Sequence, residues 1–338
     1  MTRLIAKICY WLQLHRLFYF LNRRRKRILT FHHVLPDELF LAGVANGVSC
    51  DVSTFRKILS EVKKFFSFSV DITDVRRATI TFDDGYWDQY AVAAPILREQ
   101  GIPAILFASG QLMRADGEET ALTVDLLLHW ISYVPLTAPL TLRLRVDEKC
   151  FQEELRNDNR ADVWERAIWP AFLCDAARKG AGVLSQLERI YPLQCILEAL
   201  PPAYIQLRLK GISPAQLHEL LKAGWQIGWH TLSHYPLAKL SCEDAKAELT
   251  PIKNFPFCST FSYPYGSGEC VSRRDLELAE RCGFKHAVSC THEPTELGLD
   301  AERYFMPRMI LPGDVALLHF ELSGLKHFLK FRRLLPKV

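Results

Sequence analysis

The chain has 338 residues, of which 49% are apolar and 24% charged, with a formal net charge of +4. That is ordinary globular usage and excludes a disordered or low-complexity chain. Ten cysteines without a Cys-x-x-Cys pair exclude a zinc ribbon and a regular disulfide framework, and they read as buried thiols in a reducing compartment.

The first element is an apolar, aromatic stretch from Leu4 to Leu21, followed by a basic block. Residues 1–36 hold Arg3, Lys7, Arg16, Arg23, Arg24, Arg25, Lys26 and Arg27 and no acid, leaving 34 basic against 38 acidic residues elsewhere. Residues 1–27 are expected to form a separate basic, aromatic helix. Lys7 and Arg16 would each cost roughly 2.5–3.5 kcal/mol at mid-bilayer, which argues against a transmembrane span. No small-residue cleavage site follows, which argues against a signal peptide. Two readings stand. The helix lies on an anionic membrane surface, or it packs on the folded domain with a solvated basic turn. The expected location is cytoplasmic, and under the first reading it is peripheral to the inner face of the membrane. Five clustered charges give only non-specific attraction to nucleic acid, so no specific nucleic-acid partner is expected.

Strands and helices then alternate. Arg27–Val34 reads as a strand, and Thr54–Phe66 as a helix with Phe55, Ile58, Leu59 and Val62 on one side. The β-branched run Ala78–Phe82 is a buried strand, Ala91–Gln100 a helix, and Pro103–Ala108 a strand. Further on come a helix at Pro214–Ala223 stopped by Gly224, a strand at Trp225–Trp229, and a helix at Ser241–Leu249 capped by Ser241. Thr260–Tyr263 is a strand, Arg274–Arg281 a helix and His286–Ser289 a strand. Tyr304–Ile310 follows as a strand, before a last helix reaching about Leu329. About seven strand–helix units predict an α/β fold of the (β/α)-barrel kind, within residues 28–330. Residues 111–210 interrupt it with a mainly helical insertion rich in Leu126, Trp130, Trp164 and Trp169. The insertion is too long for a loop and too apolar for disorder, and is expected to cap the barrel mouth.

Two clusters carry chemistry. Thr81-Phe82-Asp83-Asp84-Gly85-Tyr86 ends one strand, and His230-Thr231-Leu232-Ser233-His234 follows another. An acidic pair leaving an apolar strand is costly unless something pairs with it. On one helical turn, His230 and His234 would share a face, roughly 5–6 Å apart at Cβ. Two imidazoles and a carboxylate suit zinc with an open position for water or substrate. Asp84, His230 and His234 are therefore candidate ligands of a divalent metal, zinc first, with cobalt or nickel as substitutes. Asp83 is left as a base, which completes the equipment for metal-assisted hydrolysis. Either cluster alone reads as readily as a turn or as structural histidines; together, at strand ends, they favour chemistry.

These residues resemble the polysaccharide deacetylases, also called the NodB-homology domain or carbohydrate esterase family 4. Thr81–Gly85 matches the family's first motif, His230–His234 its second, and Pro264-Tyr265-Gly266 its third. The Tyr-Pro-Tyr-Gly form of the third motif is similar to that of a bacterial subgroup. The resemblance spans roughly residues 28–110 and 211–325. It implies an irregular barrel of about seven strands, with Asp83 as base and Asp84, His230 and His234 on the metal. The Tyr265 amide would help hold the oxyanion. It also implies the substrate, an N-acetylated sugar in a polysaccharide, oligosaccharide or lipid-linked glycan of the exopolysaccharide kind.

Two positions depart from the pattern. Ser262 stands where many members carry an arginine that orients the aspartate, and Arg308 is the candidate to take over. For the general acid, His32 and His33 compete with His319, whose Leu-x-His match sits in a segment that reads better as a helix. A capped barrel mouth points to a short or lipid-linked glycan over an open polymer. Two other readings stand: a catalytically inactive barrel that binds a glycan or partner, suggested by Ser262, and a metal-dependent amidase acting on a small cyclic amide.

Overall fold

A computed structural model describes residues 2–113, 121–253, 255–266, 268–290 and 303–331. In chain order the strands are β1 (Arg27–Phe31), β2 (His33–Leu35), β3 (Ser49–Asp51), β4 (Ala78–Phe82), β5 (Ala104–Ala108), β6 (Leu140–Val146), β7 (Lys149–Leu155), β8 (Gln226–Trp229), β9 (Thr260–Ser262), β10 (His286–Ser289) and β11 (Met306–Pro307). Seven of them form one parallel sheet in the order β1-β4-β5-β8-β9-β10-β11. Parallel strands need crossovers, and the helices that supply them cover the sheet, so β1, β4 and β5 are buried at every position. The sheet curls until its last edge meets its first. The Thr30 N–H donates to the Met309 carbonyl at 2.9 Å and the Met309 N–H to the Ile28 carbonyl at 2.7 Å. The result is a nearly closed α/β barrel surrounded by helices, as the strand–helix alternation predicts.

Alternation along the strands sorts the core. Leu29, Ile80, Phe82, Leu106 and Ile227 belong to the large apolar cluster shared with the helices. Ile28, Ile105, Phe107, Val288 and Met306 form a smaller cluster on the other face. The register aligns Phe31 with Phe82, Phe82 with Leu106, and Trp229 with Phe261. The residues that leave these strands therefore emerge at one rim.

Several expectations are corrected. The N-terminal segment is two helices, α1 (Thr2–Trp11) and α2 (Leu14–Leu21), because Gln13 adopts a left-handed φ of 54° between them. The strand expected over Arg27–Val34 breaks at His32, and β2 pairs with β3 outside the barrel. Pairing of Tyr304–Ile310 shrinks to Met306–Pro307 and the bridge at Met309, since Pro307 has no N–H to offer a neighbour. The last helix divides into Val315–Leu322 and Leu325–Phe331, with Gly324 at φ 82° between them. Among its described residues, the insertion contains one hairpin, β6 with β7, beside its helices. All ten cysteines are free, but Cys150, Cys195 and Cys242 are exposed rather than buried. No helix among the described residues is long and apolar enough to cross a membrane.

Candidate active site

The rim begins where β4 ends. Asp83 follows Phe82, and its N–H donates to the Phe31 carbonyl at 3.1 Å. Asp84 and Gly85 then take φ of 77° and 97°. Two successive left-handed residues turn the chain abruptly, which aspartate and glycine tolerate better than other residues. The Gln89 amide locks this corner by donating to the carbonyls of His32 and Asp83, at 2.6 and 2.5 Å.

Asp83 is held by an arginine from the far edge of the barrel. Arg308 Nη1 donates to Oδ1 at 2.7 Å, and Nη2 donates to Oδ2. Ser262 completes the group: its hydroxyl lies 3.3 Å from Asp83 Oδ2 and accepts from Arg308 Nη2 at 3.0 Å. Arg308 is itself anchored through Nε to the Ser289 carbonyl. Such a fork-to-fork pair fixes the plane of the carboxylate, which a lysine could not do. Burial alone would raise the Asp83 pKa; Arg308 and then His230 outweigh it and hold the carboxyl below its usual range.

Asp84 faces two histidines. Its Oδ1 lies 3.1 Å from His234 Nε2 and 3.5 Å from His230 Nε2. All three ligand atoms fall within 4.8 Å of one another. Oδ1 of Asp84 is buried without a hydrogen bond among the described residues. Burial alone would raise this carboxyl too, but the neighbouring imidazoles keep it well below the usual range. The Nδ1 of His230 contacts the Ser262 carbonyl at 2.7 Å. A carbonyl only accepts, so Nδ1 carries the proton and Nε2 keeps a free lone pair, the usual arrangement behind a metal-bound histidine. An orphaned carboxylate oxygen and a correctly presented imidazole fit a divalent metal held by Asp84, His230 and His234.

The histidines are not on a helical turn, contrary to the sequence reading. They flank a loop in which Thr231 and His234 have φ of 66° and 55°. Pro236 disfavours a helical conformation at Tyr235, which cuts short any helix begun at His230. A β-branched residue in the left-handed region is strained and persists only where its surroundings insist. Here the His234 N–H binds the Thr231 hydroxyl at 3.0 Å, and the Gly110 N–H binds the Thr231 carbonyl at 2.9 Å. Buried Glu248 accepts from the Ser233 N–H at 2.8 Å, from the Ser233 hydroxyl, and from Lys179 of the insertion.

The third motif is equally constrained. Tyr265 has φ 62° and Gly266 φ 53°. A Cβ on Gly266 would lie 2.2 Å from the Cys290 nitrogen, so only glycine fits. The Tyr265 ring packs edge-on to His234 at 4.8 Å, while its backbone N–H has no acceptor among the described residues. Seven non-glycine residues have positive φ among those described, and four of them are Asp84, Thr231, His234 and Tyr265. Strain concentrated in this way marks a functional rim.

The three candidate acids separate. His32 lies at the rim, its Nε2 3.8 Å from Asp83 Oδ2, too far for a direct hydrogen bond. Burial lowers its pKa. His33 turns into the core and meets Asp88 at 3.0 Å. His319 is in the helix Val315–Leu322, bonded to the Tyr19 hydroxyl at 2.8 Å and facing Glu61, so it takes no part in this site.

A cavity of about 550 Å³ opens over the rim. His32, Asp84, His234, Tyr265 and Cys290 form its floor, and Asp125, Leu128, Trp164 and Trp169 of the insertion form a wall. Four of the residues met here were not singled out for the site by the sequence. Cys290 follows β10, and its Sγ lies 3.0 Å from Arg308 Nη2. Asp125 accepts from the Tyr86 hydroxyl and from buried Arg208 at 2.8 Å. Trp169 meets Tyr265 at 4.9 Å, and Glu248 holds the histidine loop. Only Trp169 had a signal, the aromatic richness of its segment.

No family model and no curated protein matches the chain. Solved structures do. The Streptococcus pyogenes deacetylase PplD, in complex with acetate, is 13% identical over 88% of this chain and 97% of its own, with a TM-score of 0.51. IcaB from Ammonifex degensii is 15% identical over 89% and 97%, at a TM-score of 0.48. A polysaccharide deacetylase from Bacillus cereus is 12% identical over 88% and 68%, at 0.49. Identities this low speak to architecture alone. The chain has the fold of the Streptococcus pyogenes deacetylase PplD.

Proposed function

We propose that the protein is a divalent-metal-dependent hydrolase that removes the acetyl group from an N-acetylated sugar. One observation carries this reading. Of two adjacent buried carboxylates, Asp83 is bound in full by Arg308, while Asp84 keeps an unbonded oxygen facing two imidazoles. That division of labour is what a base beside a metal requires.

Asp84, His230 and His234 would hold a divalent metal, zinc first with cobalt or nickel as substitutes, which would supply Lewis-acid polarisation of the acetamide and a more acidic water. Asp83, outside that trio, takes the proton from the attacking water. Arg308 keeps it ionised and correctly turned. The Tyr265 N–H donates to the oxyanion as it forms, a fixed dipole that needs no reorganisation. The proton taken by Asp83 passes to the neighbouring His32, neutral at rest, and the imidazolium so formed protonates the nitrogen as the C–N bond breaks. The products are acetate and a free amine. The Streptococcus pyogenes deacetylase PplD was solved in complex with acetate.

The wall of the cavity supports a short oligosaccharide or the end of a lipid-linked glycan. Trp164 and Trp169 offer aromatic surface to sugar rings, and the insertion narrows the approach. Ser262, which suggested a binding-only barrel, instead bonds to both Arg308 and Asp83.

The test is acetate release from short N-acetylated oligosaccharides by zinc-loaded protein. Release that a chelator abolishes and zinc restores is expected. Absence of release from metal-loaded protein overturns the activity. Release from long soluble polymer alone overturns the substrate class.

A further inference from the structure

Helices α1 and α2 reverse the usual partition between core and solvent. α1 turns small residues, Ala6 and Cys9, toward Phe320 and Leu325 of the C-terminal helices. Its larger residues Leu4, Ile5, Ile8 and Trp11, with Leu12 just beyond its end, are exposed. At about 100° per residue these five fall on one stripe. Tyr10, also exposed, stacks on His15 instead. α2 buries His15, Phe18 and Tyr19 and exposes Leu14, Leu17, Phe20 and Leu21 on a second stripe. Trp11 is 80% exposed, Leu4 64% and Phe20 60%. Isolated exposed leucines are normal on any protein, but a contiguous run over two successive helices marks an interaction surface.

Charge identifies what the surface meets. Arg3, Lys7 and Arg16 are exposed along the two helices, Arg23 and Arg24 are exposed just beyond them, and no acid occurs before Asp37. The C-terminal helices beneath α1 and α2 lead into the same chemistry. Residues 322–338 contain Lys326, Lys330, Arg332, Arg333 and Lys337 and no acid. Of the acids adjoining the cluster, Glu61 is paired with Lys64 and Glu321 with Lys326. A second copy would bring a like-charged rim against this one and be repelled. Neither helix is long enough to span a bilayer.

We propose that α1 and α2 dock the protein on an anionic lipid bilayer, lying in the interface plane with their apolar stripes in the acyl boundary and the basic residues among the headgroups. The proposal is independent of the activity at the rim.

The experiment is co-sedimentation of the full chain with vesicles of phosphatidylglycerol and phosphatidylcholine in equal parts, beside vesicles of phosphatidylcholine alone. Binding to the anionic vesicles about tenfold tighter than to the neutral ones is expected. Trp11→Ser, Leu17→Ser and Phe20→Ser combined should abolish it without changing the melting temperature. Arg23→Gln with Arg24→Gln should weaken it and reduce its salt dependence. Wild type that stays in the supernatant overturns the proposal, as does binding unchanged in both variants. A dimer in size-exclusion chromatography that the triple variant dissociates assigns the face to a second copy and also overturns it.

Discussion

The barrel rim and the N-terminal helix pair break the same rule in opposite directions. At the rim, charged groups are buried: Asp83, Asp84 and Arg308 are each no more than 5% exposed. On α1 and α2, large apolar groups lie in water. Neither arrangement arises from folding thermodynamics alone. Hydrogen bonds stabilise much of the rim: Arg308 and Ser262 hold Asp83, and the Thr231 hydroxyl, the Gly110 N–H and Glu248 hold the histidine loop. The helix pair has no such compensation, and its exposed stripes gain only when something covers them. Removing a rim residue should therefore disturb much, whereas removing an exposed apolar residue should disturb nothing until the partner is present.

The largest expected effect is at the metal ligands and the base. Asp84→Ala and His234→Ala should abolish metal binding and turnover together. Asp83→Asn should lower turnover by about 10²–10⁴-fold while the metal remains. Steady-state acetate release and metal content measured on the same samples separate the two classes.

Arg308→Met comes next. It leaves the Asp83 charge buried and unpaired, a loss of about 3–5 kcal/mol that chemical denaturation would read. Arg308→Lys should recover only part of this, since an ammonium cannot match the carboxylate fork. Equal stability of all three proteins would break the claim that the rim is held by that pair.

Glu248→Gln should cost about 1–3 kcal/mol, because it weakens the acceptor for the Ser233 N–H and removes the charge facing Lys179. Turnover should fall with it, as the histidine loop loses its clamp. Lys179→Met, at a half-exposed position, should do much less.

A pH effect follows from the insertion. His129 Nδ1 donates to the Asp125 carbonyl at 2.6 Å, and its Nε2 contacts the Tyr204 hydroxyl at 3.1 Å. Burial first, then Arg208, lowers its pKa to about 3. The unfolded chain binds this proton more readily, so the contribution is complete above pH of about 6.5 and is lost as pH falls toward about 3. Denaturant unfolding across that window should show a slope that His129→Gln reduces.

The smallest effect belongs to the other region. Trp11→Ser should change the stability of the free protein by no more than about 0.5 kcal/mol. A large loss would mean that the residue packs in the molecule, and the contrast between the regions would fail.

The residues that meet at the rim were legible because their pattern is improbable in a core. Two acids close an apolar strand, two histidines follow another, and a lone arginine interrupts an apolar run. The barrel was legible from alternation. What escaped was backbone shape and contacts across the fold. Nothing in His230–His234 announces a left-handed Thr231, because a five-residue loop has no periodicity to read. Gln13 breaks the N-terminal helix without glycine or proline to signal it. Cys290, Asp125 and Glu248 reach their positions only through the sheet order, which no local pattern encodes.

The most direct test of the account is native mass spectrometry after zinc is offered to wild type, Asp83→Asn and Asp84→Ala. The account predicts a single metal on wild type and on Asp83→Asn, and none on Asp84→Ala. No metal on wild type, or equal loading of Asp84→Ala, would contradict the division between a free ligand and an arginine-bound base.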